Sequence, residues 1–232
     1  MMDGKSYYIF GAYPMLFAAG AFGFERLLKT SGYVLRTATI ILFTLPNLVL
    51  FPIVLPILPL SQTLAFFRFA DKHLPPARFA MTWEDGKKHA TTQDYADMLG
   101  WDDMAALVDK AYKSLNANDQ KQTLVYADNY GEAGAIHHYG KQYGYPDVIS
   151  LNSSFTLWAP DSLKCKYMIY VDENGGKNIK EFVEGKMIGS FTKVGEVTNP
   201  LAREKGTAVF IITPNYRLNQ RYSPELAKKR LE

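Results

Sequence analysis

Polar side chains suited to ligand binding gather at one predicted turn, where a strand is followed by a helix. Thr123–Ala127 (TLVYA) is predicted as a strand, and the turn after it carries Asn129, Tyr130 and Glu132. In open α/β sheets, ligands bind at the carboxyl ends of strands, where helix N-termini offer free N–H groups. Asn129 and Glu132 are equally suited to capping the helix that follows. A ligand edge and a helix cap are therefore both open interpretations of this turn.

A second group of polar residues follows the next predicted strand. Asp147–Leu151 (DVISL) is that strand, and Asn152, Ser153 and Trp158 come after it. The carboxyl ends of parallel strands meet at one edge of a sheet, so we expect these side chains to lie on the same edge as the first turn.

The glycines, histidines and the single cysteine do not form a sequence motif for a catalytic, cofactor or metal site. The chain contains neither the G-x-x-x-x-G-K phosphate loop nor the G-x-G-x-x-G dinucleotide motif. His137 and His138 are adjacent, so on a helix they point about 100° apart and cannot share a metal ion. Cys165, the single cysteine, has no disulfide partner and is predicted as a small buried residue. We therefore predict no catalytic residue, no cofactor and no metal.

The elements that position these residues follow from the hydrophobic pattern of the last two-thirds of the chain. Apolar residues recur at three- and four-residue steps between Trp101 and Leu115, which predicts a helix. Strands are predicted at Thr123–Ala127, Asp147–Leu151, Lys166–Val171, Phe191–Val197 and Ala208–Thr213, and further helices at 131–144 and 178–184. The alternation predicts a small α/β domain in two or three layers with a largely parallel sheet. The C-terminal ELAKKRLE is predicted as a charged helix end or a frayed terminus.

Charge is distributed unevenly along the 232 residues. Residues 1–60 hold six charged side chains, and the other 43 of 49 lie in the remaining 172 residues. We therefore expect an apolar part at 1–60, a connector at 61–92 and a soluble α/β domain at 93–232. The net charge of +3 gives no support for nucleic acid as a partner.

Two uncharged runs predict membrane-spanning helices. Ser6–Phe24 and Thr37–Phe67 lack charged residues, and a bilayer needs roughly 20 apolar residues in a helix. The spans are expected at about 6–28 and 37–58, as a helical hairpin. Because four prolines follow Leu45 in the second run, we expect that helix to kink there and end irregularly. A signal peptide with a buried core helix is the alternative, but the start MMDGK lacks its basic cluster.

The loop between the two spans predicts the orientation of the hairpin. Arg26, Lys29 and Arg36 outnumber Glu25 there, and basic loops stay on the cytoplasmic side. The soluble domain is therefore expected on the extracytoplasmic side. Lys5, with Tyr7 and Tyr8 beside it, would then lie at the outer membrane surface. Lys5 is either a snorkelling lysine or a contact to a lipid phosphate.

Three stretches resemble one family of membrane enzymes. They are KSYYIFGAYPMLFAAGA (Lys5–Ala21), MLGWDDMAALVDKAY (Met98–Tyr112) and YADNYGEAGAIHHYGKQYGYPDVISLNSSFTLWAP (Tyr126–Pro160). Together they are similar to the C-terminal portion of bacterial dolichyl-phosphate-mannose:protein mannosyltransferase-like glycosyltransferases, whose relatives include the aminoarabinose transferase of lipid A. The resemblance covers most of the chain, and the third stretch is the most specific.

The resemblance implies that this chain is one part of a larger enzyme. Such enzymes move a sugar from a polyprenyl-phosphate donor to an extracytoplasmic acceptor at the bacterial inner membrane. Their catalytic carboxylate lies in an N-terminal loop that has no counterpart here, so the resemblance implies a segment that is inactive alone. Its partners would be the bilayer, the lipid-linked sugar and the N-terminal half of the enzyme. The alternative is a membrane-anchored binding or accessory module for a glycan or a partner protein.

Overall fold

The computed structural model describes residues 11–74 and 77–231. The chain divides into two compact units, Met1–Phe66 and Phe67–Glu232. Each unit is described by itself.

The first unit contains two apolar helices, α1 at Tyr13–Leu28 and α2 at Tyr33–Val54. Their apolar side chains are exposed, and α1 has no buried residue. Among the described residues, α2 alone is long and apolar enough to cross a membrane, judged by length and composition. At about 1.5 Å per residue, its 22 residues match the roughly 30 Å of a bilayer core.

Arg36 closes the connection between α1 and α2. Its Nε donates to the carbonyl of Leu28 at 3.1 Å, and its Nη2 donates to the carbonyl of Lys29 at 2.6 Å. The last carbonyls of a helix have no partner within the helix, so the guanidinium supplies the missing donors to α1. Phe24 and Phe43 also bring the two helices into contact, with ring centroids 5.4 Å apart.

The irregular end expected for the second helix lies at residues 55–59, further along the chain than Leu45. α2 continues through Pro46 and Pro52 and ends only at Val54. Each proline removes a single N–H from the helix ladder, so the neighbouring hydrogen bonds can persist. Next to Pro46, the Asn47 side chain donates to the carbonyl of Phe43 at 2.6 Å, which adds a local bond.

The segment predicted as a connector is partly helical. It contains α3 at Leu60–His73 and α4 at Ala77–Ala80, followed by an isolated bridge between Thr82 and Lys88. Three helices come next: α5 at Gln93–Asp97, α6 at Trp101–Lys113 and α7 at Ala117–Gln120. The predicted helix from Trp101 is therefore confirmed.

Within the described residues, five strands form one sheet in the order β2-β1-β3-β5-β4. They are β1 at Thr123–Ala127, β2 at Val148–Ile149, β3 at Tyr167–Asp172, β4 at Ile188–Glu196 and β5 at Ala208–Pro214. Each of the five predicted strands is present, and the bounds of β1 match the prediction. The remaining helices are α8 at Tyr130–Gly140, α9 at Lys177–Glu184 and α10 at Tyr216–Lys229, with a 3₁₀ helix at Ser153–Leu157.

The sheet is mixed, so the prediction of a largely parallel sheet holds for three strands only. β1 runs parallel to β2 and β3, whereas β5 runs antiparallel to β3 and β4. A loop without a helix, residues 197–207, joins β4 to β5. Because parallel neighbours need a long crossover, usually a helix, this loop returns the chain as an antiparallel pair.

Helices cover both faces of the sheet, so the α/β unit has three layers. On one face, Met104 of α6 and Ile136 of α8 pack in one core cluster with β1 and β3. On the other, Phe182 of α9 and Leu226 of α10 pack in a second cluster with β3 and β5. Successive side chains of β3 point to opposite faces, so this strand contributes to both cores.

ELAKKRLE contains the end of a helix, which confirms the charged helix end among its two predicted interpretations, and this helix is part of the core. α10 buries Leu218, Tyr222 and Leu226, which recur every four residues along one side of the helix. Arg230 then anchors the end of the helix, donating to the carbonyls of Thr156 and Ala159. Exposed charged residues surround Leu226 in ELAKKRLE, and they conceal the short apolar stripe in the sequence.

Truncating α10 at its buried side should destabilise the α/β unit. Leu226→Ala is expected to lower the free energy of unfolding by about 2–5 kcal/mol, because Leu226 is only 2% exposed. Leu231→Ala is the matched control, since Leu231 is 90% exposed and its loss should change stability by less than about 0.5 kcal/mol. Urea titration followed by tryptophan fluorescence measures both. Equal effects of the two substitutions would contradict a buried α10.

Candidate functional site

A cavity of about 270 Å³ lies at the carboxyl end of the parallel strands. Asp128 follows β1, Asn152 follows β2 and Glu173 follows β3, and all three line it. The other polar lining comes from helices α9 and α10, with Asn178 and Arg221 among its residues. The topology thus brings three strand ends and two helices to one polar pocket.

Asp128 is the centre of the hydrogen-bond network in this cavity. The Tyr170 hydroxyl donates to Asp128 Oδ1, and Asn178 Nδ2 donates to Asp128 Oδ2 at 2.8 Å. The Glu173 backbone N–H approaches the same Oδ2 at 3.4 Å. Asn178 Nδ2 also lies 3.2 Å from the Tyr170 hydroxyl. A carboxylate, a phenol and an amide therefore form one connected group.

Asp172, at the end of β3, positions the amide of this group. Its Oδ2 accepts from the backbone N–H of Asn178 at 3.1 Å, and its Oδ1 accepts from that of Asn174 at 2.8 Å. The Asp172 side chain is fully buried, so its position is set by these bonds and by the strand. The carboxylate consequently holds the first turn of α9, and with it Asn178, beside Asp128.

The surroundings of Asp128 raise the pKa of its carboxyl to about 6. Burial is the main cause, and the charges of Asp172 and Glu173 act in the same direction. The hydrogen bonds from Tyr170 and Asn178 oppose the rise because they stabilise the ionised form. Asp128 is therefore mostly ionised at neutral pH, and a ligand hydroxyl can donate to it.

Aromatic and charged side chains form the walls of the cavity. Tyr126 and Tyr170 stack with centroids 5.5 Å apart, and Phe182 meets Tyr170 edge-on at 5.2 Å. Arg221 pairs with Glu181 at 2.6 Å, which fixes its guanidinium at the rim. Burial raises the pKa of both tyrosines, so they remain neutral hydrogen-bond donors. The cavity thus offers flat apolar faces beside fixed polar groups.

The turn after β1 serves chiefly as a helix cap. Asn129 Oδ1 accepts from the backbone N–H of Glu132 at 3.0 Å, which confirms the capping interpretation for Asn129. Its Nδ2 also donates to Glu173 Oε2 at 2.7 Å, which joins the loops after β1 and β3. Tyr130 is 55% exposed and lies outside the cavity lining.

The predicted residues after β2 are only partly brought together. Asn152 lines the cavity and also a neighbouring groove, where Ser153 lies beside it. Ser153 has a φ of 54°, the left-handed region in which non-glycine residues are uncommon. Trp158 is 61% exposed, packs against the ring of Phe155 and lines neither space. Among the six predicted edge residues, Asn152 is the one in the Asp128 cavity.

Glu132 is buried in the protein and does not line the cavity. It is 1% exposed, and its Oε1 accepts from Thr207 Oγ1 at 3.3 Å. Its Oε2 has no hydrogen-bond partner among the described residues. Burial, followed by the charges of Glu204 and Asp128, raises the pKa of Glu132 to about 9. The carboxyl is therefore neutral at physiological pH.

The predictions from the sequence missed several cavity residues. They differ in how far the local sequence indicates their position at the cavity. Asp128 stands directly after a predicted strand, so its place at the carboxyl edge was available from the pattern. Tyr170 lies two residues before the end of β3, and alternation puts it on the face opposite Ile169. Arg221 lies on α10, and no local signal connects it with the edge of the sheet.

The remaining candidates form no further site in the described residues. No group of three or more His, Cys, Asp or Glu residues at 11–74 and 77–231 is arranged to hold a metal ion. His137 lies 3.6 Å from Asp147 at the surface. Burial raises the pKa of Cys165 to about 11, which keeps it a thiol. Lys5, Tyr7 and Tyr8 lie outside the described residues.

Comparisons with protein families, curated proteins and solved structures give no match to this chain.

Replacing Glu132 by glutamine should change how stability depends on pH. The folded pKa of about 9 lies above the ordinary value of 4.5, so this group's contribution is complete below pH 4.5 and is lost as pH rises through 9. Glu132→Gln, which cannot ionise, should match the parent protein near pH 5 and exceed its unfolding free energy by about 1–3 kcal/mol near pH 9. Urea unfolding across this range measures the difference.

Glu184→Gln is the control for this pH series, because Glu184 is exposed on α9. Its effect should be small at every pH. A constant difference between Glu132→Gln and the parent protein from pH 5 to 9 would contradict a neutral buried Glu132.

Proposed function

We propose that this chain is the C-terminal segment of an integral-membrane glycosyltransferase and that its α/β unit binds a glycan in the Asp128 cavity. The observation that carries the proposal is the Asp128–Tyr170–Asn178 group, set among aromatic side chains at the carboxyl edge of the sheet. The sequence resemblance to polyprenyl-phosphate-dependent transferases supports the same conclusion.

The chemistry of the cavity supports a sugar as its ligand. Sugar hydroxyls both donate and accept, and the cavity provides a carboxylate at Asp128 and amides at Asn152 and Asn178. Aromatic side chains such as Tyr126 and Phe182 supply apolar contact for the C–H faces of a ring. Pockets for drug-sized ligands hold about 300–1,000 Å³. A cavity of about 270 Å³ therefore suits one sugar residue of a longer glycan.

The properties of the first unit support anchoring in a membrane. Its apolar side chains are exposed, as in Leu16 of α1 at 62% and Ile40 of α2 at 65%. The loop between the helices carries Arg26, Lys29 and Arg36, and basic loops favour the cytoplasmic side. This arrangement would place the glycan cavity on the extracytoplasmic side of a bacterial inner membrane.

The catalytic carboxylate of the proposed transferase belongs to a part of the enzyme outside this chain. In our proposal the donor is a polyprenyl-phosphate sugar, and the phosphate is the leaving group. Lys5, flanked by Tyr7 and Tyr8, would contact that phosphate and offset its developing negative charge. The α/β unit would hold the acceptor glycan near the reacting sugar.

The position of the cavity within a single unit favours a second function. Every cavity residue that carries the proposal lies within Phe67–Glu232, so glycan binding needs no further chain. The protein would then be a membrane-anchored extracytoplasmic binding or accessory module. The two functions differ in whether the chain also binds a polyprenyl-phosphate sugar.

Removing the Asp128 carboxylate should weaken glycan binding. Asp128→Asn is expected to lower affinity at least about tenfold, because a hydrogen bond to a charged group contributes roughly 1.5–3 kcal/mol. In the parent protein, affinity should fall as pH drops below about 6, since the carboxyl then takes up a proton. Calorimetry with mannose, glucose, galactose and N-acetylglucosamine measures this on the full chain in a sugar-free detergent.

Asp102→Asn, at an exposed carboxylate of α6, is the matched control and should bind as the parent protein does. An Asp128→Asn variant with unchanged affinity and unchanged pH dependence would contradict the glycan site. Absence of binding by all four sugars at millimolar concentration would contradict it as well.

Lys5→Ala tests the transferase part of the proposal in the intact enzyme. Turnover should fall roughly tenfold or more, because a cation at the leaving phosphate stabilises the transition state, while thermal stability should change little. Lys29→Ala, in the predicted cytoplasmic loop, is the control. Turnover of a polyprenyl-phosphate sugar is the measurement, and unchanged turnover in Lys5→Ala would eliminate this role for Lys5.

A further inference from the structure

Helix α3 has one side packed in the protein and one side open to solvent. Phe67 and Ala70 are 1% and 0% exposed, and the ring of Phe67 meets that of Tyr95 at 6.4 Å. This inner side fixes the orientation of residues 67–73 within the second unit, which begins at Phe67. The residues on the other side are therefore displayed outward by the fold.

The outward side of α3 combines positive charge with an exposed aromatic ring. Arg68, Lys72 and His73 are exposed there, beside Phe69, which is 53% exposed. The rings of Phe69 and His73 lie 4.8 Å apart. Arg68 and Lys72 form no ion pair within the part of the chain that the structure describes.

Asp71, the acidic residue of α3, forms its ion pairs with residues outside this helix. Asp71 pairs with Lys88 at 2.5 Å and with Arg78 at 3.4 Å, and its side chain is 30% exposed. The lysine bond is the main reason that the pKa of Asp71 is lowered, so this carboxylate stays ionised in its pair. The positive charges of Arg68 and Lys72 are thus left without a carboxylate on their own side.

Helix α4 adds a second exposed aromatic ring. Phe79 is 87% exposed, although a ring of this size is ordinarily buried in part. Arg78 holds α4 against α3, because its Nε donates to the carbonyl of Asp71 at 2.9 Å. This bond keeps the two helices next to each other. Apart from Arg78, which pairs with Asp71, their exposed basic and aromatic side chains are here named the basic aromatic face: Arg68, Phe69, Lys72, His73 and Phe79.

We propose that the basic aromatic face docks on the surface of an anionic membrane, with Phe69 and Phe79 at the level of the headgroups. The inference rests on the membrane placement of α2 proposed above. Only residues 55–59 separate α2 from α3 in the chain, and five extended residues span at most about 18 Å. A spanning α2 thus keeps the start of α3 within reach of the headgroups.

The composition of the face favours lipid over a protein partner. Interfacial helices place Lys and Arg beside aromatic residues, and each basic side chain is attracted by anionic lipids. Protein interfaces are instead depleted of charge at their centre, and lysine is rare there. Arg68 and Lys72 flank Phe69 directly, so a protein partner would have to bury both charges.

Lipid quenching of single fluorophores tests the proposal on the full chain. A label is placed at Phe69→Cys or Phe79→Cys in a Cys165→Ser background, and at Phe191→Cys as the control on edge strand β4, where Phe191 is 50% exposed. The vesicles are phosphatidylcholine with or without phosphatidylglycerol, and headgroup-level spin-labelled lipid is the quencher. Labels at 69 and 79 should be quenched with phosphatidylglycerol, and the label at 191 should not.

Charge reversal separates electrostatic docking from simple proximity. Arg68→Glu with Lys72→Glu should lower the ratio of docked to undocked label at Phe79→Cys at least about fivefold. Raising the salt from about 0.1 M to about 1 M should lower that ratio too, because it shortens the screening length. The matched control is Lys141→Glu with Lys164→Glu, two exposed lysines outside the face, which should leave quenching unchanged.

Three outcomes would overturn the proposal. Labels at 69 and 79 could stay unquenched in vesicles of both compositions. They could be quenched equally whether or not anionic lipid is present. They could instead self-quench with rising protein density without the lipid quencher, which would identify contact between copies of the chain. Glycan binding in the Asp128 cavity is measured separately, so its failure and the failure of docking are distinguishable.

Discussion

The fully buried carboxylate of Asp172 is the constraint on which the candidate site depends. It ends the central strand β3 and accepts hydrogen bonds from the backbone of the loop and of the first turn of α9. A buried carboxylate without such donors would be strongly unfavourable, so strand, loop and helix must keep this arrangement together. Asp172 thereby holds Asn178 next to Asp128. The Asp128–Tyr170–Asn178 group of the cavity therefore depends on one buried carboxylate.

The two faces of β3 explain why the cavity has rigid walls. Alternate residues of the strand enter two separate cores, one with α6 and α8 and one with α9 and α10. Tyr170 belongs to the second core, yet its hydroxyl reaches Asp128 at the edge of the sheet. The Tyr170 side chain therefore packs in the interior, and its hydroxyl donates a hydrogen bond to Asp128 in the cavity. A pocket built in this way is formed before a ligand arrives, which lowers the entropic cost of binding.

The two units of the chain differ in where their apolar side chains lie. The first unit exposes its apolar side chains, whereas the second buries many of its apolar residues in two cores. In our proposal, the basic aromatic face lies on the membrane and the Asp128 cavity takes the glycan. The resemblance to polyprenyl-phosphate-dependent transferases is consistent with both roles, since it implies a lipid-linked donor and an extracytoplasmic acceptor.

The sequence by itself determined the local elements: β1 at Thr123–Ala127, the start of α6 at Trp101 and the cap at Asn129 all follow from residues near one another in the chain. Short-range periodicity and capping chemistry are sufficient for these. Only the tertiary structure decided the antiparallel course of β5, the burial of α10 and the membership of the cavity. Tyr170 and Asn178 lie 42 and 50 residues from Asp128, so no local pattern records their contact. The packing of β3 between two helical layers brings them together, which is why one of the six predicted edge residues lines the cavity and Glu132 is enclosed as a neutral acid.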